Sequence, residues 1–210
     1  MNLESEISDF PLPKGNFGAV LFDCDGTLAD TMPLHYLAWR RLIRDAGGDF
    51  PEELFYSWGG RPPAEILGSL SEMYSLRLNV AESVKLKENY YLDLLHLAKP
   101  IEPVLKLATI LSGKIPMAVV SGGTKRAVIA TLQAIGAGHL FDEIITSDDY
   151  PEGKPSPTPF LVAAQRLRVE PQSCLVFEDS PTGIQAAKAA GMKFVSIERG
   201  GSLRLSPNEN

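Results

Sequence analysis

Residues 19–31 read AVLFDCDGTLADT. Four apolar residues, Ala19 to Phe22, run straight into Asp23, Cys24, Asp25, Gly26 and Thr27. A run that is apolar on successive residues predicts a strand buried on both faces, as in a parallel sheet covered by helices. In open α/β sheets the ligand sits beyond the carboxyl ends of the strands, which is where Asp23 and Asp25 fall.

Working outward, four more runs of the same kind follow: MAVVS (117–121), EIIT (143–146), CLVFE (174–178) and KFVSI (193–197). Helical patterns lie between them: PVLKLATILSG (103–113), TKRAVIATLQAIG (124–136), PTPFLVAAQRLRV (157–169) and SPTGIQAAKAAG (180–191). The last has Ser180 as N-cap, Pro181 at the first helical position and Gly191 just past the end. Alternating strands and helices predict a doubly wound parallel-sheet α/β core. Residues 32–102 break the alternation. They hold only helical patterns, HYLAWRRLIRDAG, EELFYSWGG, PPAEILGSLSEMY and ESVKLKENYYLDLLHLA, with Pro33 at the start and Pro100 and Pro103 at the end. The expected organisation is a leader at 1–16, a core at 17–31 and 103–210, and an inserted all-helical cap at 32–102. The final GGSLRLSPNEN is expected to be a loose tail. Placed directly after the carboxylates, the helical insertion is either a lid over them or an elaboration that packs on the core.

Three chemistries compete for the two aspartates. A calcium-binding helix-loop-helix loop wants glycine at its sixth position and glutamate at its twelfth. Counted from Asp23, the glycine is fourth and the twelfth residue is Leu34, which excludes it. A turn whose aspartates cap backbone groups accounts for one aspartate and the glycine, but poorly for two carboxylates beside a buried strand. A hard-cation site with a carboxylate nucleophile accounts for both, because Mg2+ takes oxygen ligands and commonly binds through one or two carboxylates plus a substrate phosphate. That reading demands more acid, a hydroxyl and a lysine at other strand ends. Glu178 and Asp179 follow the fourth run, Ser121 ends the second with Gly122 and Gly123 behind it, and Lys154 lies in the loop after the third.

FDCDGT, SGG, GKPSP and FEDS, in this order, resemble the four motifs of the haloacid dehalogenase superfamily. HYLAW, KPSPTPF and FEDSPTGIQAAKAAGM are similar to its β-phosphoglucomutase-like group with a helical cap, and the short C-terminus is most similar to the sugar phosphatases of that group, fructose-1-phosphate phosphatase-like members included. The resemblance spans roughly residues 18–198. It implies Asp23 as nucleophile, forming an aspartyl-phosphate, and Asp25 as general acid and then base, with its carbonyl on the metal. It implies Thr27 as orienting Asp25 and its loop. Ser121 and Lys154, with the backbone N–H groups of Cys24 and Gly122, would hold the phosphoryl group, and Asp23, Asp25, Glu178 and Asp179 would make a Mg2+ site. Asp25, Glu178 and Asp179 exclude the metal-free dehalogenases, and Cys24 and Asp25 do not match the ion-pump branch.

The expected activity is therefore Mg2+-dependent hydrolysis of small phosphate monoesters such as sugar phosphates. The alternatives are a hexose-phosphate mutase and a non-catalytic binder retaining the fold. In relatives with HxxAW the histidine faces the active site, which makes His35 a substrate-side candidate, against the reading that it packs in the cap as Trp39 does. Arg61 stands where cap residues of the group contact substrate. Thr124 and Lys125 begin the helix after Ser121, where they touch an anion or simply cap and solvate. Over 210 residues, 44% are apolar and the net charge is −6 without a basic stripe, which disfavours a nucleic-acid partner. No run approaches the ~18 apolar residues of a membrane span. The N-terminus lacks the apolar segment of a signal peptide. Cys24 and Cys174 fall at opposite strand ends and are expected as buried thiols. The expectation is a cytoplasmic monomer acting on a small phosphorylated metabolite.

Overall fold

The computed structural model describes residues 7, 10–59, 61–198 and 201–205. The chain divides into two compact units, Thr31–Ala98 and the remainder, Met1–Asp30 with Lys99–Asn210.

In the larger unit β1 (Ala19–Phe22), β2 (Met117–Val120), β3 (Glu143–Ile145), β4 (Cys174–Glu178), β5 (Lys193–Ile197) and β6 (Leu203–Leu205) form one sheet in the order β3-β2-β1-β4-β5-β6. The first five strands are parallel. Helices α5 (Glu102–Leu111), α6 (Lys125–Ala134), α7 (Thr158–Leu167) and α8 (Pro181–Ala189) connect them. From β1 the chain steps outward through β2 to β3, then returns past β1 to β4 and β5. With right-handed crossovers, the two directions of travel put α5 and α6 on one face and α7 and α8 on the other. The packing follows the strand period of two. Ala19, Leu21, Ala118, Val120, Cys174 and Val176 pack with Phe160, Ala163 and Ala164 of α7 and with Ala186 and Ala187 of α8. The alternate residues Val20, Phe22, Met117, Val119, Leu175 and Phe177 are buried as well. Phe22 stacks on Phe177 at 4.9 Å between ring centroids. Cys24 and Cys174 are both buried and unpaired, as expected.

The connections reverse direction between β1 and β4, and the crevice beyond their carboxyl ends is the binding position of doubly wound sheets. Register places Phe22 beside Phe177, so Asp23 and Glu178 leave adjacent strands at the same level. Asp23 N–H donates to the Phe177 carbonyl at 2.9 Å.

The expected loose tail is corrected in part. Leu203–Leu205 pairs antiparallel with β5, Leu203 opposite Ile197. The turn closes with Gly201 at φ +84°, its N–H bonded to the Glu198 carbonyl. A glycine-rich turn followed by Leu-Arg-Leu is a hairpin signal, though a run of three is too short to stand out as a strand. Residues 200 and 206–210 of that tail, and 1–6 and 8–9 of the expected leader, lie outside the described residues. The carbonyl of Lys14, near the leader's end, accepts a bond from Lys193 Nζ.

The smaller unit contains α1 (Met32–Asp45), α2 (Glu52–Ser57), α3 (Pro63–Tyr74) and α4 (Val80–Leu94), and no strand among its described residues. Pro33 and Pro63 sit at helix starts, where their missing N–H costs nothing. Asn79 caps α4 by accepting from Glu82 N. Its own core joins Tyr36, Trp39, Leu42 and Ile43 of α1 to Phe50, Phe55, Ile66, Leu67 and Leu70. Trp39 is thus a packing residue. No helix among the described residues is long and apolar enough to cross a membrane.

Phe50 is fully buried, edge-on to Trp39 and Phe55 and tilted against Trp58. Phe50→Ala removes the hub of that aromatic cluster. It is expected to cost the helical unit about 3–5 kcal/mol, measured as a lowered denaturation midpoint followed by tryptophan fluorescence.

Candidate active site

Four chain segments converge beyond β1 and β4. Lys154 Nζ donates to Asp23 Oδ1 at 2.6 Å, to Glu178 Oε2 at 2.7 Å and to the Val120 carbonyl at 2.9 Å. Those three bonds use all three ammonium protons. The side chains of Lys154, Asp23 and Glu178 are 9%, 10% and 1% exposed, so water does little to stabilise any of these charges and they depend on one another. Phe160 lies under the ammonium at 5.0 Å.

Asp23, Glu178 and Asp179 each offer an oxygen, and these oxygens lie within 4.8 Å of one another. Burial raises the Asp23 carboxyl well above the usual range and Glu178 pushes it further, with Lys154 opposing. Burial and Glu178 likewise lift Asp179 to about 7. Burial disfavours the Lys154 ammonium, but Asp23 and Glu178 outweigh it and its pKa is raised above the ordinary lysine value. Three clustered carboxylates face one ammonium, so burial, and after it the neighbouring negative charge, lifts Asp23 and Asp179. The donors are hard oxygens, so the cluster has the chemistry to coordinate a divalent metal.

Local sequence explains how each acid is held. Glu178 Oε1 accepts from Ser180 N at 3.0 Å and from Ser180 Oγ at 2.8 Å, while that hydroxyl also caps α8 through Gly183 N. A Cβ on Gly183 would collide with the Glu178 carboxylate, and one on Gly26 would collide with that of Asp179. Glycine at these two places makes room for acid rather than for a turn alone, although Gly26 also sits at φ +90°. Thr27, expected to orient Asp25 and its loop, donates its hydroxyl to Asp179 Oδ1 at 3.2 Å. It therefore ties the β1 loop to the β4 loop.

Asp25 lies on the side of the second loop. A Cβ on Gly123 would stand 4.0 Å from Asp25 Oδ2 and 3.4 Å from Ser121 Oγ. The three clustered carboxylates are those of Asp23, Glu178 and Asp179, and the Asp25 side chain is not among them. Ser121 is buried, and its hydroxyl accepts from Gly123 N at 3.1 Å, leaving its own proton to donate. Among the described residues no acceptor meets the N–H of Cys24 or of Gly122. These are the two backbone donors the motif resemblance assigns to a phosphate. The Cys24 carbonyl, by contrast, accepts from Thr27, Leu28 and Ala29 and turns the loop.

Other expected residues are engaged differently. Thr124 Oγ1 caps α6 through Ala127 N, and the Lys125 N–H is bonded to Asp148 Oδ2. Within the helical unit the His35 ring stacks on Tyr91 at 4.0 Å, and its Nδ1 lies 2.7 Å from Lys87 Nζ. Arg61 donates to Ser69 Oγ at 2.9 Å, pairs with Glu65 and covers the Trp58 ring. Tyr90 donates to Asp45 and Tyr91 is buried, both as packing residues. Sequence reasoning missed the Val120 carbonyl, the site role of Ser180 and Gly183, and Tyr150, whose hydroxyl donates to the Ser121 carbonyl at 2.9 Å. Only the SPTG cap signature pointed to any of them.

Residues 17–191 match the family model of haloacid dehalogenase-like hydrolases. The chain is 34% identical to fructose-1-phosphate phosphatase YqaB of Escherichia coli, over 86% of this chain and 96% of that protein. It is 31% identical to a phosphorylated carbohydrates phosphatase of Thermotoga maritima, over 84% and 83%. Its fold is similar to the crystal structure of a β-phosphoglucomutase from Clostridium difficile, with a TM-score of 0.73, 31% identity and coverage of 86% and 84%. A parallel sheet with four motif loops at one edge, a helical cap unit and a family match over most of its length together show that this chain belongs to the haloacid dehalogenase-like hydrolases.

Proposed function

We propose that this protein is a Mg2+-dependent phosphatase of small phosphate monoesters, sugar phosphates foremost, working through an aspartyl-phosphate on Asp23. One observation carries the reading: a buried lysine clamps Asp23 and Glu178 beside Asp179, with two backbone N–H groups on neighbouring loops still lacking acceptors. The named activities of the Escherichia coli and Thermotoga maritima relatives support the substrate class.

In this reading an Asp23 carboxylate oxygen attacks phosphorus and the ester P–O bond breaks. Asp25 gives its proton to the departing alcohol. It then takes a proton from the water that attacks the phosphoryl-aspartate, releasing phosphate and restoring Asp23. Ser121 Oγ–H and the N–H groups of Cys24 and Gly122 hold the phosphoryl oxygens, where charge must be compensated as the group transfers. Asp23, Asp179, Glu178 and the Asp25 carbonyl would hold Mg2+, which when bound screens the carboxylates and draws charge from the phosphoryl oxygens. Lys154 works against the burial that disfavours the Asp23 carboxylate and holds one of its oxygens in place. The helical unit serves as the cap that selects the ester, with His35 and Arg61 as its polar candidates.

A hexose-phosphate mutase is the second reading, favoured by the likeness to the Clostridium difficile enzyme. It uses the same carboxylates but returns the phosphoryl group to sugar, so product analysis separates the two.

On a panel of sugar phosphates, free phosphate is expected to appear only with Mg2+ and to stop on chelation. Asp23→Ala is expected to lower turnover by about 10^3-fold or more. Undiminished turnover by that variant would sink the nucleophile assignment, and isomerised sugar with little free phosphate would select the mutase. Lys154→Met leaves buried carboxylates uncompensated and is expected to cost about 3–5 kcal/mol of stability without metal. Added Mg2+ is then expected to raise the melting temperature of the variant more than that of the wild type, as read by calorimetry.

A further inference from the structure

The loop Ser121-Gly122-Gly123 has the freest backbone at the site, since neither glycine carries a Cβ to restrict it. Nothing lies within 4 Å of a Cβ position on Gly122. A donor on such a loop is useful only if its peptide planes are pinned. The Val120–Ser121 plane is pinned on both edges, by Lys154 on the Val120 carbonyl and by the Ser121 N–H on the Ile145 carbonyl. The Gly122–Gly123 plane is held by Gly123 N on Ser121 Oγ. The Gly123–Thr124 plane is held by Ser147, whose N–H and hydroxyl both reach the Gly123 carbonyl. Among the described residues the plane between them, Ser121–Gly122, has one tie, the Tyr150 hydroxyl on the Ser121 carbonyl at 2.9 Å.

A peptide unit is planar and trans, so its C=O and N–H point in opposite directions. Holding the Ser121 carbonyl on one side aims the Gly122 N–H to the other, where no protein acceptor takes it. We propose that Tyr150 is a positioning residue that fixes the Ser121–Gly122 peptide so that the Gly122 N–H is presented to the phosphoryl group. The ring is anchored apart from its hydroxyl. It packs on the sheet core, and a Cβ on Gly153 would stand 3.8 Å from its Cε2. Tyr150, four residues before Lys154, thus links the serine loop to the lysine loop. This assignment rests on reading the site as a phosphate site.

The test is Tyr150→Phe, which keeps the ring and removes the donor. Inorganic phosphate is titrated calorimetrically at saturating Mg2+, alongside Mg2+ affinity, melting temperature and kcat/KM on p-nitrophenyl phosphate. Phosphate affinity and kcat/KM are each expected to fall about tenfold, with Mg2+ affinity and melting temperature nearly unchanged. A folded variant that binds phosphate as the wild type does would overturn the proposal. So would a parallel loss of Mg2+ and phosphate affinity, which is the mark of general distortion. A wild type that binds phosphate but hydrolyses no ester on the panel would remove the phosphatase reading alone, and the binding comparison would still decide Tyr150. A wild type that binds no phosphate would overturn both.

Discussion

The site depends on one buried ammonium. Lys154 reaches a carboxylate after β1, a carboxylate at the end of β4 and a carbonyl at the end of β2. Carboxylates this deeply buried are strongly unfavourable without a partner. The lysine therefore ties three strand ends together electrostatically as well as by geometry. It faces three acids by itself, and Asp23 and Asp179 are raised first by their burial and then by the neighbouring Glu178 carboxylate. The remaining negative charge makes the cluster suited to a divalent cation and poorly suited to a phosphate dianion without one.

Around that centre, small residues do the spatial work and hydroxyls the orienting. Gly26 and Gly183 leave room for Asp179 and Glu178, where any Cβ would collide. Ser180 acts twice, as helix cap and as ligand of Glu178, so the start of α8 and the direction of the acid are set by one side chain. Thr27 and Tyr150 extend the same logic between loops, one joining the β1 and β4 loops and the other the β2 and β3 loops. Each crosslink is a modest hydrogen bond, worth about 0.5–1.5 kcal/mol net. Their combined effect is to make four separate loops behave as one preorganised surface.

The placement of this surface follows from topology. The chain leaves β1 in one direction and returns on its other side to form β4, so loops at the carboxyl ends of these neighbours diverge and leave a crevice. Asp23 and Asp179 flank it. The helical unit carries its own aromatic core of Tyr36, Trp39, Phe50 and Phe55. Its stability is therefore built from residues other than Arg61, which is held by Ser69 and Glu65 near the surface.

Much of this was legible in the chain itself. Five of the six strands, the order of helices between them, the Ser180 cap and the four motif segments are properties of neighbouring residues. Apolar runs, periodicity and capping are written within a few positions of one another. β6 escaped because Leu-Arg-Leu is too short for a period to register, and its partner strand is what makes it a strand. Which atom meets which was not legible. Lys154 and Asp23 are 131 residues apart, and Thr27 and Asp179 are 152. The residue types needed for the chemistry were determined by sequence alone. Which oxygen each of them bonds, and that a tyrosine braces the glycine loop, was decided only when parallel strands in register brought their ends to one level, because hydrogen-bond partnership belongs to converged backbones rather than to local order.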